Sequence, residues 1–384
     1  MFRGKKVIGV VAEFNPFHEG HRYLLRTAKE ECGADYVIAV MSGDFVQRGE
    51  PAFFSKFERA EKAVLGGVDL LLQMPLCFSV SSAEDFARSG VSTLSDCGIV
   101  DELVFGSESG RRERLEELAS FLLREDREGT AFSARLRDGL RKGQSFPRAR
   151  EKALSEFLPG LSSLSLSPND LLGLEYLKAL KSLGNPFPFR LIPRNMRLRS
   201  AHSIREDIME SCGRDCGHRC YAELDMLSEM LSYRLLLLRH SGIPLTEFQD
   251  VSRELSARIL GSVGEKLRFR ERIERAKGKN LTWSRISRAL LHILLDIRSE
   301  EYQRERERGY APFLRVLSVS EEGREMLGAL KRPPLVSPGR ALRRDASLAE
   351  SFSMRTDLLG ASIYRQIYPD SPEELRQKLL LVRR

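Results

Sequence analysis

No run in the 384 residues approaches the roughly 18 consecutive apolar side chains that a membrane span needs. The nearest, 70–80, is interrupted by Gln73 and Pro75. No export signal is expected either. The basic residues 1–6 lead into an apolar run, 7–12, that stops at Glu13, which reads as a first β-strand. Cysteine is scarce: six in all, with Cys32, Cys77 and Cys97 standing singly, so a disulfide framework is excluded and a reduced, cytoplasmic setting is expected. No internal repeat is visible. What is present is the composition of a folded chain, 42% hydrophobic and 30% charged, long enough for two or three domains. The net charge of +8 is too small to define a partner unless it is concentrated in one place.

Between residue 7 and about 205, short apolar runs alternate with helical stretches. Residues 7–12, 36–41, 68–73, 103–105 and 189–192 read as buried strands, and 21–31, 56–66, 83–95 and 169–182 carry helical spacing. That alternation predicts an α/β fold, a doubly wound parallel sheet with helices on both faces, over 1–205. A charge-rich helical insertion is expected at about 111–156. From 206 to 384 a mostly helical domain is expected, with helices at 208–238, 246–260, 267–277, 284–308 and 372–381 and one extended piece at 313–319.

The first strand ends in Glu13-Phe14-Asn15-Pro16-Phe17-His18-Glu19-Gly20-His21. Open parallel sheets bind ligands at the carboxyl ends of their strands, and a helix starting near His21 offers free N–H groups to a polyphosphate. His18 and His21, three apart across Gly20, are placed to donate hydrogen bonds to phosphate oxygens as charge grows on them. By chance alone a His-x-Gly-His would arise in roughly one chain of this length per hundred. A second element, Ser200-Ala201-His202-Ser203-Ile204-Arg205, follows the last expected sheet strand. Ser203 is expected to cap a helix there, with Arg205 in its first turn to grip the β- and γ-phosphates.

These two elements resemble the nucleotidyltransferase superfamily of adenylyl-transferring enzymes. Several further stretches narrow the likeness to the bacterial tRNA(Met) cytidine acetate ligase family. They are MSGDFVQRGEPA at 41–52, FGSESG at 105–110, SPNDLLGLEY at 167–176, IPR at 192–194, TWSR at 282–285, LHIL at 291–294 and RGYAP at 308–312. The resemblance implies a nucleotidyltransferase-like ATP domain followed by a tRNA-binding one. It further implies an enzyme that forms acetyl-adenylate from ATP and acetate, with Mg²⁺, and acetylates N4 of the wobble cytidine in elongator tRNA(Met). It carries ATP contacts onto Val11, Ala12, Glu13, Phe14, Asn15, Pro16, Phe17, His18, Glu19, Gly20, His21, Arg22, Tyr23 and Leu24, and onto Gly106, Asn169, Arg194 and Asn195, beside Ser203 and Arg205. The loop holding Asp44, Gln47 and Arg48 is expected to cover acetate or the acyl-adenylate. His202 departs from the family pattern, which has serine or threonine there. A small-molecule nucleotidyltransferase, or an RNA-binding protein with a vestigial nucleotide site, is the alternative.

The charge is concentrated. Nine Lys or Arg fall between 266 and 288 against two acids, Glu271 and Glu274, with the only tryptophan among them. Clustered cations suit phosphates, and an aromatic plane suits an unstacked base. Lys266, Arg268, Arg270, Lys277, Lys279, Trp283, Arg285 and Arg288 are therefore the expected tRNA contacts, with a second basic run at Lys331, Arg332, Arg340, Arg343 and Arg344. Cys212, Cys216, His218 and Cys220 have the side chains of a zinc set, but four ligands from so short a segment are cramped, and reduced thiols are expected.

Overall fold

A computed structural model of the chain describes residues 1–125, 128–144, 146–158, 167–212, 220–278 and 281–384. Its strands are β1 (Val7–Ala12), β2 (Tyr36–Ser42), β3 (Phe45–Val46), β4 (Glu50–Pro51), β5 (Leu70–Met74), β6 (Glu102–Ser107), β7 (Phe189–Pro193), β8 (Leu314–Ser320), β9 (Pro334–Leu335) and β10 (Leu380–Val382). The main sheet runs β10-β8-β5-β2-β1-β6-β7, with β9 beside β8, and β3 and β4 form a separate hairpin. From β5 to β7 all pairs are parallel. The chain leaves β1 in one direction toward β2 and returns on the other side to β6, so the strand order reverses between β1 and β6. That is where a doubly wound sheet opens a ligand crevice.

Alternation of side chains builds a core on each face. Ile8, Val10, Val37, Ala39 and Met41 point into one cluster with Leu25 and Ala28 of the helix Glu19–Cys32 and Phe57 and Ala60 of the helix Lys56–Leu65. Val7, Val11, Ile38 and Val40 point into the other, under the helices Ala83–Cys97 and Pro168–Ser182. This second cluster continues into the helical part through Leu231, Phe248 and Leu291. The 111–156 stretch is helical, as Arg112–Glu125, Ala131–Arg141 and Phe146–Phe157.

The C-terminal half departs from expectation. The extended piece at 313–319 is β8, which lies in the main sheet antiparallel to β5, with Gln73 opposite Arg315. Residues 372–381 are not a helix; the chain turns there and ends as β10, parallel to β8. The helix of this region is Phe352–Ile367, whose Gly360 lets it press against Leu76: a Cβ there would stand 2.2 Å from Leu76 Cδ1. The expected 284–308 helix is two, Trp283–Leu294 and Ser299–Glu307. His292, fully buried, joins this part to the sheet, its ring nitrogens 2.9 Å from Gln249 O and 2.8 Å from Val80 O. No described helix is long and apolar enough to cross a membrane.

Candidate active site

The crevice at the end of β1 is built by an unusual helix cap. His18 is the N-cap of Glu19–Cys32, and its Nδ1 accepts the Gly20 N–H at 3.0 Å; His21 Nδ1 accepts the His18 N–H at 3.2 Å. Two imidazoles thus do the work that Ser and Glu do in an ordinary capping box. With both Nδ1 atoms accepting, the proton of each neutral ring sits on Nε2, leaving two N–H donors. The rings lie 3.9 Å apart, with Phe14 and Phe17 against His21 at 5.0 and 5.6 Å. Burial among these rings holds the His21 pKa well below its ordinary value, with the neighbouring His18 and Arg194 adding to the effect. Burial, then Arg194, lowers that of His18. Both are neutral donors at pH 7. Gly20 is required by space: a Cβ would stand 2.7 Å from His18 Cε1 and 2.9 Å from Nδ1.

Of the residues expected from β6 onward, Asn169 and Arg194 meet on one carboxylate and Arg205 reaches the first motif, while Ser203 and Asn195 bond elsewhere. Gly106 faces open space, where a Cβ would meet nothing nearer than Ile192 O at 4.0 Å. Asn169, in the first turn of Pro168–Ser182, donates from Nδ2 to Glu108 Oε1 at 2.8 Å, and Arg194 Nη1 donates to the same oxygen at 2.9 Å. Arg205 reaches back to the first motif, with Nη1 2.7 Å from Asn15 O. Ser203 does not cap its helix. Ser200 Oγ accepts the Ser203 N–H at 3.2 Å, because the helix Ala201–Cys212 starts earlier than expected, and Ser203 Oγ is taken by Arg199 at 2.9 Å. Asn195 Oδ1 accepts from Arg197 N at 3.1 Å. His202 is exposed and pairs with Glu206 at 3.3 Å along the helix. Arg22 pairs with Glu19 at the surface, while Tyr23 and Leu24 pack against the core under their helix.

Of the loop after β2, Asp44 is buried and bound to Lys56 Nζ at 2.9 Å, itself held by Glu374 at 2.8 Å. The Asp44 side chain lies in the protein interior, with Oδ1 unpartnered among the described residues. Gln47 N donates to Glu13 Oε1 at 2.8 Å, and Arg48 is exposed. Two residues were not anticipated. Glu108 ties Asn169 to Arg194. Arg59, fully buried, donates to the carbonyls of Glu13 (2.7 Å), Ser42 (3.1 Å), Gly43 and Phe54 (3.1 Å), locking the ends of β1 and β2 together. Its signal in the sequence was a lone Arg on the helix face that also carries Ala60 and Ala63.

In the helical part, Arg268, Arg270 and Trp283 line an open groove with Leu267, Glu271, Glu274 and Arg275. Lys277 Nζ lies 5.4 Å from the Trp283 ring centre and 3.2 Å from Glu274. Lys266 and Arg285 are exposed. Arg288 is not at this surface: it is buried and paired with Asp250 at 3.1 Å, since it falls on the inner side of Trp283–Leu294. Lys279, and Cys216 and His218 of the cysteine cluster, lie outside the described residues.

A His-x-Gly-His cap at the crevice of a parallel sheet, with an arginine bearing on both imidazoles, defines an adenylyl-handling nucleotidyltransferase fold. The HIGH Nucleotidyl Transferase family matches residues 5–378. The chain belongs to this family and, within it, to the tRNA(Met) cytidine acetate ligases. It is 32% identical over 419 residues to the tRNA(Met) cytidine acetate ligase of Halothermothrix orenii, covering 98% of each chain, and 34% identical to that of a Thermoanaerobacter species, covering 95% and 96%. Among solved structures it resembles Thermotoga maritima TmcAL bound with alpha-thio ATP, at TM-score 0.85 and 30% identity, covering 99% of this chain and 100% of that one. The apo form of the same protein gives 0.87 at 29% identity.

Proposed function

We propose that this chain is an ATP-dependent acetate ligase that acetylates N4 of the wobble cytidine of elongator tRNA(Met) in two steps. An acetate oxygen attacks the α-phosphorus of ATP in line; the new O–P bond forms as the bond to the bridging oxygen breaks, and pyrophosphate leaves. Charge grows on the phosphate oxygens in that transition state, where the Nε2–H donors of His18 and His21 and the helix N-terminus favour it. The displacement requires no proton from the enzyme, which suits imidazoles kept neutral by burial. The cytidine amine then attacks the acetyl carbonyl, loses a proton, and AMP departs. Residues 1–205 supply the adenylation crevice, and the helical part supplies the RNA surface around Trp283, beside Arg268, Arg270 and Lys277. Mg²⁺ belongs to this reading as the counter-ion of the substrate's polyphosphate. Among the described residues no three His, Cys, Asp or Glu side chains stand close enough together to hold a metal themselves.

The paired imidazole cap is the observation that carries the reading, and it makes the first step testable alone. The protein without tRNA is expected to catalyse ATP–pyrophosphate exchange that depends on acetate. Exchange indifferent to acetate, with another small molecule accumulating in adenylylated form, would support a small-molecule nucleotidyltransferase instead.

A further inference from the structure

We infer that Glu108 is a positioning residue that fixes which end of the Asn169 amide meets the nucleotide; the inference rests on the reading of the crevice as an ATP site. The Glu108 carboxylate gathers three donors from two separate elements. Ser167 Oγ at 2.5 Å and Asn169 Nδ2 at 2.8 Å come from the start of the helix Pro168–Ser182, and Arg194 Nη1 at 2.9 Å comes from just beyond β7. Its own backbone is held in turn. Ser107 O accepts from Arg194 N at 2.9 Å, and Ser109 N donates to the buried Asp170 at 3.1 Å. The carboxylate therefore has little freedom to follow its partners.

An amide side chain has a donor end and an acceptor end, and a carboxylate accepts only. Glu108 thus selects Nδ2 and turns Oδ1 away. Among the described residues nothing donates to that oxygen. Asn169 shares its carboxylate with Arg194, whose charge bears on both imidazoles, and Gly106 leaves the neighbouring space open. The atom offered to a nucleotide here is an acceptor, so the nucleotide must bring a donor, which in ATP is the 6-amino group or a ribose hydroxyl. Without Glu108 the amide is free to turn over and offer N–H instead, and the preference for a donor disappears. A guanine, with an oxygen at that place on the base, gains nothing from the native orientation.

The test is direct titration of ATP, ITP, 2′-deoxy-ATP and 3′-deoxy-ATP into the wild type, E108A, N169D and the E108Q/N169D pair, with melting curves for each. The wild type should bind ATP about tenfold tighter than whichever analogue lacks the donor that Oδ1 accepts, which tells base from ribose. E108A, which removes the acceptor that Asn169 Nδ2 and Arg194 share, should lose about tenfold in ATP affinity and bring that ratio to within twofold. N169D should be weaker still, because two carboxylates then abut. In the reciprocal pair the amide donates to the carboxylate in the opposite sense, an acceptor again faces the nucleotide, and both affinity and ratio should return to within about threefold. Equal binding of all four nucleotides by the wild type would overturn the inference. So would an unchanged ratio in E108A with a uniform loss of affinity, the mark of a mere staple, or a reciprocal pair no better than N169D. If E108A does not melt cooperatively, E108D, which withdraws the carboxylate by one methylene, carries the same expectation. None of these titrations needs acetate or tRNA. A protein that binds nucleotides in this pattern yet lacks acetate-dependent exchange would contradict the proposed reaction and leave the role of Glu108 standing.

Discussion

Replacing Gly20 with alanine separates the needs of the helix from those of the chemistry. Gly20 lies in the first turn of Glu19–Cys32 at an ordinary negative φ, so alanine fits the backbone and raises helix propensity by about 0.5–1 kcal/mol. The added Cβ, however, stands 2.7 Å from His18 Cε1 and 2.9 Å from Nδ1, where ordinary contact begins near 3.4 Å, so the imidazole must retreat by about 0.7 Å. That movement stretches the 3.0 Å bond from Gly20 N and weakens the cap, at a cost of about 0.5–2 kcal/mol. The two effects nearly cancel in stability. They do not cancel in rate, because a donor displaced by most of an ångström from a growing charge costs about 10–10² in turnover. G20A should melt within a few degrees of the wild type and lose about 10–10² in acetate-dependent pyrophosphate exchange. Exchange at the wild-type rate would refute the claim that the His18 ring must rest against residue 20.

Three further outcomes follow from other parts of the molecule. Changing Arg268, Arg270 and Lys277 together to Glu should weaken tRNA binding and flatten its salt dependence while leaving exchange intact; normal binding by a variant that melts normally would move the platform to the Arg340–Arg344 region. H292L should lower stability by about 1–3 kcal/mol in urea unfolding, since the single N–H of the neutral ring, which lies between the buried carbonyls Gln249 O and Val80 O, is lost, and an unchanged midpoint would count against that link. Because burial depresses the His21 pKa, the unfolded chain takes up a proton that the folded chain refuses as pH drops below about 6.5. The native state should therefore lose up to about 1.4 kcal/mol per pH unit there, and H21Q should flatten this slope; an identical slope would mean that His21 is not held neutral.

The nucleotide half was legible because its signals are local. Runs such as 7–12 and 36–41 carry no charged or amide side chain, as suits strands buried on both faces, and His18, Gly20 and His21 act within one turn of chain. What escaped was set by distant contacts. β8 read as extended, but nothing local announces that it inserts antiparallel beside β5. The helix Phe352–Ile367 was masked by Gly360, which tertiary packing demands and helix propensity opposes. Glu108 and Arg59 drew no role of their own from the sequence because their partners lie up to 86 residues away, at Arg194 for Glu108, and up to 46 away, at Glu13, for Arg59. Arg288 was counted with the basic surface because clustering in sequence does not distinguish the two sides of a helix: Arg285 is exposed and Arg288 faces Asp250.

The central claim is tested most directly by incubating the protein with ATP, isotopically labelled acetate and elongator tRNA(Met), digesting the RNA, and measuring the anticodon fragment by mass spectrometry. The account predicts one labelled acetyl group on the wobble cytidine, absent without ATP and strongly reduced in H21A. Unlabelled tRNA beside an accumulating adenylylated small molecule would contradict it.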